Sequence, residues 1–231
     1  MAANELLREQ ALKTIEVMLE DQLIQNEDMM RFQINEHDIF SAEYIRNEME
    51  NWYRTLGIEY LLKKKFSLRT PQFTKEEIKE ASDNNEIILC VPQGISRRQL
   101  GKLFNIDNWT FENELVGNTP EFEDFWFTTK KTFEPEMLDK TGTEIQRTYK
   151  KEGKLGMNLE RYLVFIARMR YLTRQTPDTK NKTWLTHGKY EGKTMLIAGF
   201  DSKGDFTSHG WLPQFHSPFV GGRYVWIPDH I

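Results

Sequence analysis

Cysteine is almost missing from this sequence: Cys90 is the single one among 231 residues, so no internal disulfide can staple the fold. It sits in the apolar run IILCV, where a thiol serves as a small buried hydrophobe rather than as a nucleophile. Long apolar runs are missing too. Nothing approaches the roughly 18 consecutive apolar residues of a membrane-crossing helix, and the opening MAANELLREQALK puts charges where a secretory signal would be apolar. The expectation is a soluble, intracellular, cytoplasmic protein with no membrane partner, in which the sequons at Asn108 and Asn181 carry no weight as glycan sites. Low-complexity tracts and internal repeats are absent. With 39% hydrophobic and 13% aromatic residues, the chain can bury a core, which excludes intrinsic disorder.

Basic residues are scarce at one end and dense elsewhere. Residues 1–60 hold 5 Lys/Arg against 13 Asp/Glu, a net of −8, while residues 140–182 hold 11 against 4, a net of +7, within a total of −4. Such polarity means either a basic surface for a polyanion or an acidic helix packed beside a basic segment of the same molecule. The second is the simpler reading.

The pattern along the chain is α+β. Leu7, Leu12, Ile15, Leu19 and Leu23 recur at helical spacing over 4–27, and a second helix starts near Ser41 with Ile45, Met49, Trp52 and Leu56 inward and Gly57 as its stop. These acidic helices make an N-terminal unit, 1–66, with an α+β domain at 67–231, packed on it or separate. TKEE at 74–77 and SRRQ at 96–99 are capping boxes. EIILCVP between them reads as a buried strand, and Phe125, Phe127 and Thr129 alternate as another. The segment up to 156, rich in Gly, Lys and Thr, reads as a loop. Asn158 then caps a helix, LERYLVFIARMRYLTRQ, whose apolar residues surround its axis and make it central. TWLTHGK, TMLIAGF, DFTSHGWL and GRYVWI follow as an antiparallel β-meander.

Motifs that carry chemistry are few. GKYEGKT at 188–194 has one residue too few between its glycines for a phosphate loop and leads into a strand. GISRRQLGKLFNIDNWTFENELV at 94–116 can be drawn as a helix-turn-helix, yet its second helix would face phosphates with three acids and no base. Four of the five histidines, His187, His209, His216 and His230, fall in the last 45 residues with Asp201, Asp205 and Arg223. None has metal-ligand spacing, so neither a metal nor a cofactor is expected. Gly221 and Gly222 would let the backbone approach a ligand that Arg223 grips as an anion; the plainer reading is a bend, with Arg223 paired to Asp201 or Asp205.

The sequence therefore points first to a non-catalytic binding or accessory protein. Its partner would be a protein or a small anionic ligand, held by Arg223 and by Lys150, Lys151 and Lys154 beside the C-terminal sheet. The rival is a hydrolase or transferase for a small anionic substrate, with His209 or His216 as general base, Asp201 or Asp205 orienting it and Arg223 on the anion. A third reading is non-specific nucleic-acid binding through 140–182, with Tyr149 stacking on a base.

Overall fold

In the computed structural model, which describes residues 39–116, 121–191 and 194–228, Ser41 opens helix α1 (Ala42–Thr55) by accepting the Tyr44 amide on its side chain. That bond satisfies one of the donors a helix start leaves without a partner. Met49, Trp52 and Tyr53 form its buried side, and Gly57, at φ 84°, turns the chain into the short α2 (Ile58–Leu62). Both expected capping boxes are present, at the starts of α3 (Lys75–Asp83) and α4 (Arg97–Phe104). The helix predicted at 4–27 lies outside the described residues. Residues 40–66 share one compact unit with the segments that follow: Tyr53 donates to the Cys90 carbonyl at 2.7 Å and the Leu68 amide to Glu50 at 2.8 Å.

Strand β1 (Glu86–Val91) pairs antiparallel with β2 (Phe125–Lys130), Glu86 opposite Lys130 and Val91 opposite Phe125. Cys90 is fully buried, and burial pushes its thiol pKa well up. The would-be recognition helix does not form; after α4 comes a single 3-10 turn, Trp109–Phe111. Gly101 is small because the Phe111 ring lies where its Cβ would be.

A third capping box, Thr141 with Glu144, opens helix α5 (Gly142–Lys151) where a loop was predicted. The helix ends with Gly153 at φ 67°, the Gly153 amide bonding to Lys150 and the Lys154 amide to Tyr149, a left-handed glycine stop. Asn158 caps α6 (Leu159–Thr173) as expected. Leu159, Tyr162 to Ile166 and Met169 are buried because α6 packs against α4, β1 and the sheet strand at Lys182–Tyr190 at once.

Strands β4 (Lys182–Tyr190), β5 (Thr194–Phe200) and β6 (Phe206–Trp211) form the predicted hairpins. The fourth strand departs from the meander: β7 (Val220–Gly222) lies parallel to β4, giving the order β6-β5-β4-β7. Strands β4 and β6 already run the same way, and residues 212–219 return the chain across the sheet to the free edge of β4. Strand β5 is buried along nearly its whole length because both faces of the sheet are covered. Leu196 and Ala198 enter the main core with α6, while Met195 and Ile197 join Trp184, Val220, Ile145 and Tyr149 beneath α5.

The C-terminal segment sews these parts together. After β7, strand β8 (Tyr224–Val225) pairs with β3 (Leu155–Gly156), and Trp226 exchanges two backbone hydrogen bonds with Thr128 of β2, at 2.9 and 3.0 Å. Seven residues thus bind three strands in succession. Among the described residues no helix is long and apolar enough to cross a membrane.

Candidate functional site

Arg223 occupies the joint between β7 and β8 and is 3% exposed. Its Nη2 and Nε meet the two oxygens of Asp178 at 2.5 and 3.1 Å, Nη1 donates to Thr132 at 3.1 Å, and the guanidinium lies 4.5 Å from the Phe165 ring centre. Asp178 also accepts from the hydroxyls of Tyr162 and Thr183, each at 2.7 Å. Burial disfavours the charge on Arg223, but Asp178 outweighs it and the pKa rises. The anion held by Arg223 therefore belongs to the chain, and it is Asp178 rather than Asp201 or Asp205. The two glycines before it admit neighbours, not a ligand. A Cβ on Gly221 would overlap the Glu136 carbonyl, and one on Gly222 would meet Ile145 and Tyr149 at 2.6 Å.

The other C-terminal candidates stand apart from this joint. Asp201 is the tip of the β5–β6 hairpin, where its carboxylate accepts the amides of Lys203 and Asp205 at 2.9 and 3.0 Å. The Asp205 and Lys203 amides hold its pKa below the usual carboxylate range. His209 is exposed on β6, with its pKa lowered by partial burial and then by Lys182; among the described residues its imidazole has no hydrogen-bond partner. His216 does have an aspartate at 2.9 Å, but it is Asp139, and both side chains are largely in solvent. His230 lies outside the described residues. No group of three His, Cys, Asp or Glu suited to a metal occurs among the described residues. The tail aromatics divide in the same way: Tyr224 is buried, whereas Phe215 and Phe219 are 57% and 65% exposed.

The three arginines of α6 in the basic segment are spent on internal contacts. Arg161 pairs with Glu121 at 2.9 Å and lies over the Phe125 ring, Arg168 pairs with Glu48 of the acidic α1, and Arg170 lies over Phe200. Tyr149, expected to be free to stack, is 2% exposed. Of the three lysines, Lys150 and Lys151 stand in solvent at the end of α5, and Lys154 turns elsewhere.

Lys154 lines a cleft of about 280 Å³ with Glu77, Glu80 and Ala81 of α3, Asn84, Glu86 of β1, and Tyr224 and Trp226 of the C-terminal segment. Its Nζ lies 4.2 Å from the Tyr224 ring centre and 3.0 Å from Glu152 Oε2. Glu86 receives the Tyr224 hydroxyl on one oxygen and the Thr128 hydroxyl, at 2.9 Å, on the other. Burial and then the Glu86 bond push the Tyr224 pKa far up, so the phenol stays a donor. Glu77 completes the α3 capping box, while the exposed Glu80 carboxylate has no partner among the described residues. The lining thus sets three carboxylates and two aromatic rings against one ammonium. Sequence reasoning found Lys154 and placed Tyr224 and Trp226 in the last strand, GRYVWI. It missed Glu80, within α3, and Glu86, whose one local sign was an acid at the head of an apolar strand.

A larger opening of about 620 Å³ lies between α4 and the 3-10 turn, lined by Arg98, Lys102, Asn108, Trp109 and Glu112 among others. Its polar groups are mostly engaged: Arg98 pairs with Glu112 at 2.9 Å, the Trp109 indole donates to the Ser208 carbonyl, and Asn108 bonds Thr110, Ser208 and the Phe206 carbonyl. Comparison of the chain with protein-family models, with curated proteins and with solved structures finds no match.

Proposed function

We propose that this chain is a non-catalytic binding protein whose contact site is the cleft between α3, the head of β1, Lys154 and β8. One observation carries the reading: the C-terminal segment and the basic segment, where the sequence concentrates its polar chemistry, meet in a cavity with oriented polar groups and aromatic walls, as ligand sites have. The dispersal of His209, His216, Asp201 and Arg223 to separate places in the fold favours binding over catalysis, since acid–base work needs those groups to converge on one reacting atom. The burial of Arg161 and Arg168 likewise weakens the nucleic-acid reading, which depends on a continuous basic face.

A titration of isotopically labelled full-length protein with a mixed set of small cationic, anionic and neutral fragments tests this by NMR. The expected result is a set of shifts confined to Asn84, Lys154, Tyr224 and Trp226. Shifts centred on His209 or His216, or fragment turnover, would favour the enzymatic rival instead.

A further inference from the structure

The charge and the walls of this cleft specify what enters it. We infer that it takes the ammonium head of a small alkylated amine, and that Lys154 is the molecule's own occupant of that seat, displaced when the ligand arrives. The inference rests on the cleft being the binding site and adds the class of ligand and the device that guards it.

An anion entering the cleft meets the carboxylates of Glu77, Glu80 and Glu86, and the one ammonium available is shared with Glu152. A cation meets the reverse. The face of Tyr224 presents the negative side of an aromatic quadrupole, and Lys154 Nζ at 4.2 Å marks where positive charge rests on it. Glu86, fixed by Tyr224 and Thr128, supplies an oriented carboxylate at the same wall, while Glu80 supplies one with no other partner among the described residues. Trp226, partly exposed, offers a second ring. The volume of about 280 Å³ limits the occupant to one small head group with its chain directed outward.

Lys154 is built to leave. Its backbone is fixed by the glycine stop of α5, so only the side chain needs to move, and that side chain is 27% exposed. Glu152 remains beside the ammonium as a partner in solvent, which makes the outward position inexpensive. An internal occupant lowers the apparent affinity for an outside ligand in proportion to the fraction of time the seat is open.

The test uses full-length protein at constant ionic strength, with tetramethylammonium chloride as probe, a blocked lysine peptide for an ammonium carried on a polypeptide, and tert-butanol and sodium acetate as uncharged and anionic controls. The ε-methylene protons of Lys154 should begin upfield-shifted by the Tyr224 ring and return to ordinary positions at saturation. K154M, which keeps an unbranched stem but no charge, should bind tetramethylammonium about tenfold tighter, the size of one partly desolvated cation–π contact. E80Q should bind it more weakly with unchanged melting temperature, and tert-butanol should bind far more weakly than its charged counterpart. Tighter binding of the peptide than of tetramethylammonium would place the ammonium on a polypeptide; the reverse order would place it on a free amine. If acetate moves the cleft resonances and tetramethylammonium does not, the cation assignment is overturned while the binding reading stands. If tetramethylammonium binds with the Lys154 shifts unmoved and K154M no tighter than wild type, the displacement is wrong. If no probe of any charge moves the cleft, both readings fall together.

Discussion

Replacing Arg223 by methionine keeps much of its volume over Phe165 and removes the charge, leaving Asp178 buried with only hydroxyl partners. Breaking a buried pair in this way destabilises by about 3–5 kcal/mol because the surviving charge is uncompensated. The double variant R223M/D178N should recover part of that loss, as read by urea unfolding of the single and double variants; equal losses would mean that the pair is not coupled. The partner was illegible in the sequence for a physical reason. Asp178 lies 45 residues upstream in TPDTKNK, which looks like a plain loop, and nothing local marks one of its polar residues as fully buried. Proximity along the chain favoured Asp201 and Asp205 instead, although the amides of the hairpin turn already engage the Asp201 carboxylate.

Helix α5 shows how an element can carry its signals openly and still be missed. TGTE at 141–144 repeats the chemistry of TKEE and SRRQ, and KEGK supplies the glycine stop. What hid the helix was its composition: in ten residues its large buried side chains are Ile145 and Tyr149, too few for a clear apolar stripe. Even Gly142 has a packing cause, since a Cβ there would press on Met195 and Trp184. The strong elements were legible from short-range signals, α1 by helical spacing, α6 by its Asn158 cap and an apolar surface nearly all round, β1 and β5 by unbroken apolar runs. Two predictions follow from the α5 cap. T141A should lose about 1 kcal/mol of stability, the usual worth of a threonine N-cap, by chemical unfolding. Glu144 has its pKa lowered by the Thr141 amide and then the Thr141 hydroxyl, so ionised Glu144 stabilises the fold above its ordinary carboxylate pKa. That contribution is lost as pH falls through the lowered folded value. The gap between wild type and E144Q should therefore be full at pH 7 and close toward pH 3; a constant gap would assign the effect to shape alone.

At the scale of the whole molecule, the α+β class follows from local patterns, but the closure does not. Strands β3 and β8 are two residues long and have no period to read, and β7 chooses its parallel neighbour through a return path that no local signal encodes. The seam they form with Trp226 gives the molecule its dependence on Gly221 and Gly222, because Glu136 and Gly222 exchange backbone hydrogen bonds at 2.7 and 2.9 Å across that space. In G221A the added methyl overlaps the Glu136 carbonyl, a backbone atom that cannot rotate aside, so strand β7 or the 136 segment must shift. Overpacking of this kind costs about 1–3 kcal/mol. Because β7 leads directly into Tyr224 and Trp226, the shift should reach the cleft walls as well as the joint at Arg223. Hydrogen exchange should therefore quicken together at Gly222, Val225, Trp226 and Thr128 while α6 and β5 keep most of their protection, with cleft binding weakened in the same variant. If exchange instead quickens uniformly, the C-terminal segment is part of one cooperative core, and it cannot transmit a local displacement from the glycine pair to the cleft.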